Sequence, residues 1–363
     1  INRFKSYVCY IMKKIIFILI ISIGCSTENI DSNEKKVDNL IFDAIDSNNL
    51  PGLSISIMKN GEMVYSKGFG YADIESKTKI IPSSTKFRIG SFSKTLTASA
   101  LMKLVEEKKL DLDESIHTYV PEFPKKNWDF SLRQMAGHLS GIRHYRGSEM
   151  YINKNYSSVL EALDVFKDDP LLHKPESKYH YSTHAWTLIS SAIEKASEVN
   201  FVEYMEKNVF EPLKMENTYA EKTDIDIQNK VTYYERDNSG KIIVATPVNN
   251  SWKWAGGGFI STTEDIINFL YSHSKSDYLS DESLNLLISP QKTVNGENTN
   301  YGIGWRTRYG NIGEVLIGHT GGSIGGTTFA FMSIEYNVIL VITSNISSAS
   351  FGKLPNDIFE IYY

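Results

Sequence analysis

A serine followed three residues later by a lysine can become a nucleophile with its own base, because positions i and i+3 share one face of a helical turn. An unassisted serine hydroxyl attacks poorly, since its proton must leave as the oxygen bonds. A neighbouring amine with a depressed pKa can accept that proton. Ser91-Phe92-Ser93-Lys94 has this spacing. The same spacing starts at Ser32, Ser56, Ser76, Ser83, Ser272, Ser289 and Ser350, so it selects nothing by itself. Those seven fall in a polar leader, a strand pattern or polar turns, where the geometry is wrong or water bathes both groups. Only Ser91 follows a strand-like Phe87-Arg88-Ile89-Gly90 and opens an apolar helical run through Leu96, Ala98, Ala100, Leu101 and Leu104. That run can bury Lys94 and lower its pKa. The competing reading of the pair is a helix cap and a surface charge.

Two later segments add candidates. Tyr181-Ser182-Thr183 closes a polar stretch from Pro175 and precedes a helical pattern starting at Ala185. His319-Thr320-Gly321-Gly322 follows a strand pattern, with Ser323-Ile324-Gly325-Gly326 beyond it. With Ser91/Lys94, Tyr181 and His319-Thr320-Gly321 in this order, the chain resembles the serine β-lactamase and penicillin-binding-protein superfamily, nearest its class C β-lactamase-like branch. Gly137-His138-Leu139-Ser140-Gly141-Ile142 and Ala255-Gly256-Gly257-Gly258 extend the likeness. The stretch His138 to Tyr145, with Tyr181-Ser182-Thr183, is similar to the mitochondrial serine β-lactamase-like peptidases and their bacterial relatives. The resemblance covers residue 37 to the C-terminus.

The resemblance implies a β-lactamase/transpeptidase-like fold of the α/β (α+β) kind and a serine hydrolase acting through an acyl-enzyme on an ester or amide. Ser91 would attack the carbonyl, while Lys94 and Tyr181 share the base and acid work. The amides of Ser91 and Gly322 would form the oxyanion hole. His319 would line the site and orient Tyr181 or the leaving group; Thr183, Thr320 and Gly321 would contact substrate. Two positions depart from the family pattern. Thr183 stands where asparagine is usual, and His319 stands where a lysine supplies a fixed positive charge. Both departures weaken the case for an efficient β-lactamase, leaving room for weak β-lactamase activity, and favour an esterase, or a peptidase acting on peptides or cell-wall fragments. His138 and His144 read as structural.

The elements that must position these groups follow from periodicity. Val37 to Ser47 has helical spacing, and Leu53 to Met58 with Met63 to Tyr71 read as strands joined at Asn60-Gly61, a strong hairpin signal. Helical patterns follow at Ser91 to Glu107, Leu132 to Leu139, Val159 to Phe166, Ala185 to Ser197, Phe201 to Val209 and Ile266 to Tyr271. Strand patterns return at Gly302 to Arg308, Val315 to His319, Thr327 to Ile334 and Val338 to Ser344, before a last helix from Asn356. Strands at both ends imply one antiparallel sheet built from both chain ends and flanked by helices, with an inserted helical lobe at about 108–260. The seam between lobes is where a site belongs. The loops 145–157 and 230–254 carry aromatics (Tyr145, Tyr151, Tyr156, Tyr233, Tyr234, Trp252, Trp254) suited either to a cleft or to a core.

Composition bounds the alternatives. The 363 residues are 41% hydrophobic and 22% charged, ordinary for a globular protein, and the net charge of -5 argues against nucleic acid as a partner. Cys9 and Cys25, the two cysteines of the chain, precede the folded region, so no disulfide or cysteine nucleophile is expected in it. Residues 1–11 read as an upstream extension. Residues 12–24 read as a signal peptide: Lys13 and Lys14, the apolar Ile15 to Ile21, then a lipobox-like end at Cys25, with Ser22 where leucine is commoner. Cys25 would then carry lipid, residues 25–36 would form a flexible tether, and residues 37–363 the hydrolase domain in the cell envelope, anchored to a membrane. An uncleaved N-terminal anchor is the competing reading of this segment. No cofactor is expected. His180 and His184 have i, i+4 spacing, but Tyr181 stands where a zinc-protease glutamate belongs, so metal catalysis is the weaker reading. A non-catalytic binding or sensor protein on the same fold is the other alternative. The expected ligand is a small molecule or peptide, and oligomeric state is left open.

Overall fold

A computed structural model describes residues 32–363. The expected export signal, Cys25 and most of the expected tether lie outside the described residues. Among the described residues, no helix is long and apolar enough to cross a membrane.

A six-stranded antiparallel sheet is the frame. Its strands are β1 (Gly52–Lys59), β2 (Glu62–Gly70), β3 (Arg306–Tyr309), β4 (Val315–Ser323), β5 (Gly326–Ser333) and β6 (Val338–Ser344), in the order β2-β1-β6-β5-β4-β3. Both chain ends therefore meet at its centre, as the strand patterns imply. Asn60 and Gly61 take the positive φ values (53° and 85°) that a tight hairpin turn requires. β1 alternates Leu53, Ile55 and Ile57 with Ser54 and Ser56, yet both faces are buried. The leucine and isoleucines enter one core with Leu340, Ile342 and Phe331. The two serines face the other side, where Thr263 Oγ1 satisfies them at 2.9 and 2.8 Å.

Helices cover both faces. The helix over residues 32–48 and the C-terminal helix Leu354–Tyr362 cover the first face. Here the tether expectation is corrected, because residues 32–36 are already helical. Glu34 and Asp38 hold Lys67 of β2 at 2.6 and 2.8 Å, which fastens this turn to the sheet. The second face packs on Ser93–Glu106, Thr263–His273 and the helical lobe around His184–Ser197. That lobe is wider than residues 108–260, since its core runs continuously into Ser93–Glu106 and into a helix at Asp281–Ile288 that was not anticipated.

Three expected helices are shorter or of another kind. Glu161–Val165 is a 3-10 helix, Phe201–Met205 passes into a π-turn at Glu206–Phe210, and the helix expected from Leu132 ends at Ala136. The strand expected at Gly302 begins only at Arg306. β4 runs on through His319 to Ser323, so the His-Thr-Gly-Gly run lies within a strand rather than after it.

Candidate active site

Ser91 sits in a single 3-10 turn, Gly90–Phe92, at the head of the Ser93–Glu106 helix. Every residue of that helix from Ser93 to Met102 is buried, which marks a core helix and gives Lys94 no route to water. Lys94 Nζ lies 3.1 Å from Ser91 Oγ, 3.1 Å from Thr183 Oγ1 and 2.5 Å from the carbonyl of Gly256. Burial, and after it the positive charges of Lys253 and Arg306, push the Lys94 ammonium well below the ordinary lysine range. Gly256 is packed against Thr183, whose Cγ2 would stand 2.5 Å from any added Cβ, so the glycine run serves to bring this carbonyl to the amine.

Tyr181 arrives from the opposite wall. Two segments joined by histidines hold it: Ser182 N donates to His138 Nδ1 (3.1 Å), Thr183 N donates to His144 Nδ1 (3.2 Å), and His180 N donates to the His138 carbonyl (2.9 Å). Both histidines thus splint the backbone on either side of Tyr181. Burial drives His138 well below its usual pKa and His144 down to about 3, with Lys94 adding to both, so they remain neutral acceptors. The Tyr181 ring lies 4.2 Å from that of His138, and Lys94 Nζ stands 4.9 Å from the Tyr181 ring centroid. Burial pushes the pKa of its phenol up, and the nearby Ser91 hydroxyl opposes that rise. The hydroxyl of Ser91, the amine of Lys94 and the phenol of Tyr181 therefore meet at one point.

His319 is buried beneath this group. Its Nδ1 faces the Thr320 carbonyl at 2.5 Å and its Nε2 faces Tyr301 Oη at 2.8 Å, which fixes Nδ1 as the donor and Nε2 as the acceptor of the Tyr301 hydroxyl. Burial, then Lys94 and Arg306, hold it well below the usual histidine range. Tyr301, and not Tyr181, is thus the hydrogen-bonded partner of the imidazole, while the Tyr181 and His319 ring centroids are 6.3 Å apart.

The β4 strand meets the Ser91 turn at Gly321 and Gly322. A Cβ on Gly321 would lie 1.9 Å from the Ile89 carbonyl, and one on Gly90 would lie 2.6–2.8 Å from the O, N and C atoms of Gly322. Gly90 also has φ of +51°. Such closeness presses the backbone of Gly322 against the Ser91 turn, while a side chain at Gly322 would point into open space. Thr320 is half-buried on the same strand.

A cleft of about 550 Å³ opens onto Ser91, Thr183 and Gly322. Tyr145, Tyr151 and Lys253 from the two aromatic loops form part of its wall. The other loop aromatics serve packing: Tyr156 and Trp252 share a small core, Tyr234 enters the sheet core, and Tyr233 lies under the Arg88 guanidinium at 3.8 Å. His180 and His184 do not converge. His184 Nε2 lies 3.0 Å from Arg143 and 3.1 Å from Glu149, whereas His180 faces His173. The sequence reading missed Tyr301, Arg306 and Lys253. Nothing in their local pattern distinguishes them, because each reaches the site only through strand pairing or a loop turn.

The sequence profile of the Beta-lactamase family matches residues 37–361. The chain is 28% identical to Serine beta-lactamase-like protein LACTB, mitochondrial, of Homo sapiens, over 84% of this chain and 71% of that protein. It is also 28% identical to Protein flp of Staphylococcus aureus (strain MW2), over 89% of this chain and 65% of the relative. Among solved structures, the octameric penicillin-binding protein homologue from Pyrococcus abyssi superposes with a TM-score of 0.78 at 28% identity, covering 90% of this chain and 76% of that one.

Proposed function

The chain belongs to the beta-lactamase family, and on that premise we propose that it is a serine hydrolase cleaving an ester or amide through an acyl-enzyme on Ser91. The observation that carries this reading is the buried Lys94 amine at 3.1 Å from Ser91 Oγ, with positive charges around it that favour its neutral form. A neutral amine has two N–H groups and one lone pair. The Gly256 carbonyl and Thr183 Oγ1 take the two N–H groups, which leaves the lone pair for the hydroxyl proton of Ser91.

As Ser91 Oγ bonds to the substrate carbonyl carbon, its proton passes to Lys94. The carbonyl oxygen gains negative charge and is held by the amides of Ser91 and Gly322, the kind of donor pair worth about 3–4 kcal/mol to the transition state. Tyr181, kept protonated by burial, gives its proton to the departing oxygen or nitrogen and is replenished from Lys94. Water then attacks the acyl-enzyme with the same groups acting in reverse. On this reading Lys94 is the base and Tyr181 the relay. His319 carries no fixed charge, so an anionic group on the substrate would have to find its cation elsewhere in the cleft. We propose further, from the lipobox-like pattern of residues 12–25 alone, that the enzyme is held at the cell envelope by a lipidated Cys25; labelled fatty acid retained by Cys25→Ala would refute this.

The test of the chemistry is covalent labelling. A fluorophosphonate should add to Ser91, and Ser91→Ala should abolish both the adduct and turnover of an aryl ester while keeping the melting temperature. Turnover persisting in Ser91→Ala overturns the proposal. A folded wild-type protein with neither adduct nor turnover favours the binding or sensor alternative.

A further inference from the structure

Lysine is rarely buried without a partner, because an ammonium taken from water needs an anion or several acceptors to offset the loss. Lys253 is 3% exposed. It ends the short turn Ser251–Lys253, three residues before the Gly256 carbonyl that holds Lys94. Among the described residues its ammonium has neither a carboxylate within ion-pair distance nor a hydrogen-bond acceptor. Its neighbours are the faces of Tyr145 and Trp252, with centroids 5.2 and 5.1 Å away. Glu221 is the carboxylate whose field reaches it, but Glu221 is committed to Arg88 Nε at 2.7 Å and to Asn250 Nδ2 at 2.6 Å. Yet Lys253 borders the same cleft as Ser91. The cleft's other cation, Arg236, spends its guanidinium on the carbonyls of Asn48 and Asn49 at 2.6 and 3.0 Å.

We propose that Lys253 is an anion-binding position within the cleft, so that the substrate carries a carboxylate or similar anionic group close to its scissile ester or amide. The inference deepens the serine hydrolase reading and rests on it. An anionic substrate group supplies the partner that the fold withholds from Lys253, and it offsets the positive charge that Lys253 places near Lys94. Aromatic faces on two sides leave the ammonium poorly hydrated, which strengthens its attraction for an anion. Burial, then Arg88, bring its pKa down to about 8, with Glu221 opposing, so the ammonium form still prevails at pH 7. The other titratable groups on the elements around it are Lys94, His144, Tyr145, Glu235 and Arg236. Glu235 is engaged with Thr246 at 2.9 and 2.7 Å and so does not compete for Lys253.

The experiment compares two aryl esters of equal acyl length, 4-nitrophenyl valerate and the 4-nitrophenyl monoester of glutaric acid, each corrected for spontaneous hydrolysis. The wild type should favour the glutarate ester in kcat/KM by about tenfold or more, a preference that declines as pH rises through about 8. Lys253→Met should lower the glutarate-to-valerate ratio by about tenfold, and Lys253→Arg should retain most of it. An equal ratio in wild type and Lys253→Met overturns the proposal while leaving the hydrolase reading intact. A binding measurement decides the matter even if neither ester is turned over. Free glutarate should raise the melting temperature of Ser91→Ala and leave Ser91→Ala/Lys253→Met unmoved. Equal shifts, or none in either, overturn the anion site.

Discussion

Gly90 makes no contact with substrate in the mechanism above, so Gly90→Ala probes how closely the oxyanion donors must be held. Its φ of +51° costs an alanine about 1–2 kcal/mol. The new methyl would stand 2.6–2.8 Å from three backbone atoms of Gly322, where ordinary contact begins at 3.4 Å. Strand β4 and the Ser91 turn must therefore separate by about 0.7 Å, and displacement on this scale costs a reacting centre up to about 10²-fold. Part of the lost oxyanion stabilisation adds to this, so kcat should fall between about 10² and 10³ while the chain still folds. The assay is aryl-ester kcat beside urea unfolding. Gly322→Ala is the control, because a Cβ there meets no atom within 4 Å and φ is not positive. It should leave stability unchanged and yet place a methyl at the mouth of the donor pair. If Gly90→Ala folds and retains kcat within threefold, the Gly322 amide is not an oxyanion donor and the geometric reasoning fails.

Lys94→Met keeps the volume of the side chain but removes the base. Aryl-ester kcat/KM should fall about 10²- to 10⁴-fold, with stability lowered by no more than about 1–3 kcal/mol for the partners left at Gly256 and Thr183. The acid limb of the wild-type kcat/KM profile should report deprotonation of Lys94, and Lys253→Met should move that limb to higher pH by removing a like charge, readable as a shifted half-maximal pH. Arg88 and Glu221 form an ion pair with both side chains at most 6% exposed; Arg88→Met leaves a buried carboxylate and should cost about 3–5 kcal/mol in denaturant titration. His273, held neutral by burial at about 4, donates from Nδ1 to the Phe269 carbonyl and faces Ser99 Oγ at 2.8 Å. The unfolded chain binds this proton below about 6.5 and the folded chain does not, so folding stability should fall by about 3 kcal/mol as pH drops from 6.5 to 4. His273→Gln should flatten that slope, and an unchanged slope would show that other groups govern acid sensitivity.

Much of the frame was written in short-range pattern. The Asn60-Gly61 turn, the alternation of β1 and the apolar helix after Ser91 each rest on residue types acting within a few positions of one another. So does the Ser91–Lys94 pairing, which one helical turn imposes. The short-period elements were harder: Glu161–Val165 and Glu206–Phe210 carry helical apolar spacing, but a 3-10 helix and a π-turn share that spacing and are chosen by what packs on them. The π-turn follows Tyr204 and Met205 into the large core, and no local signal announces it.

The sequence by itself determined the Ser91–Lys94 pairing and the order of the segments that carry the other candidate groups, because those depend on neighbours along the chain. Tertiary structure decided the rest. It set Gly321 and Gly322 against the Ser91 turn, and it gave His319 to Tyr301 instead of Tyr181. It also left Lys253 buried and unpaired beside the cleft. Those outcomes depend on strand register and on low-dielectric burial, which bring together residues as distant along the chain as Ile89 and Gly321 and set charge states in ways that spacing along a chain does not encode.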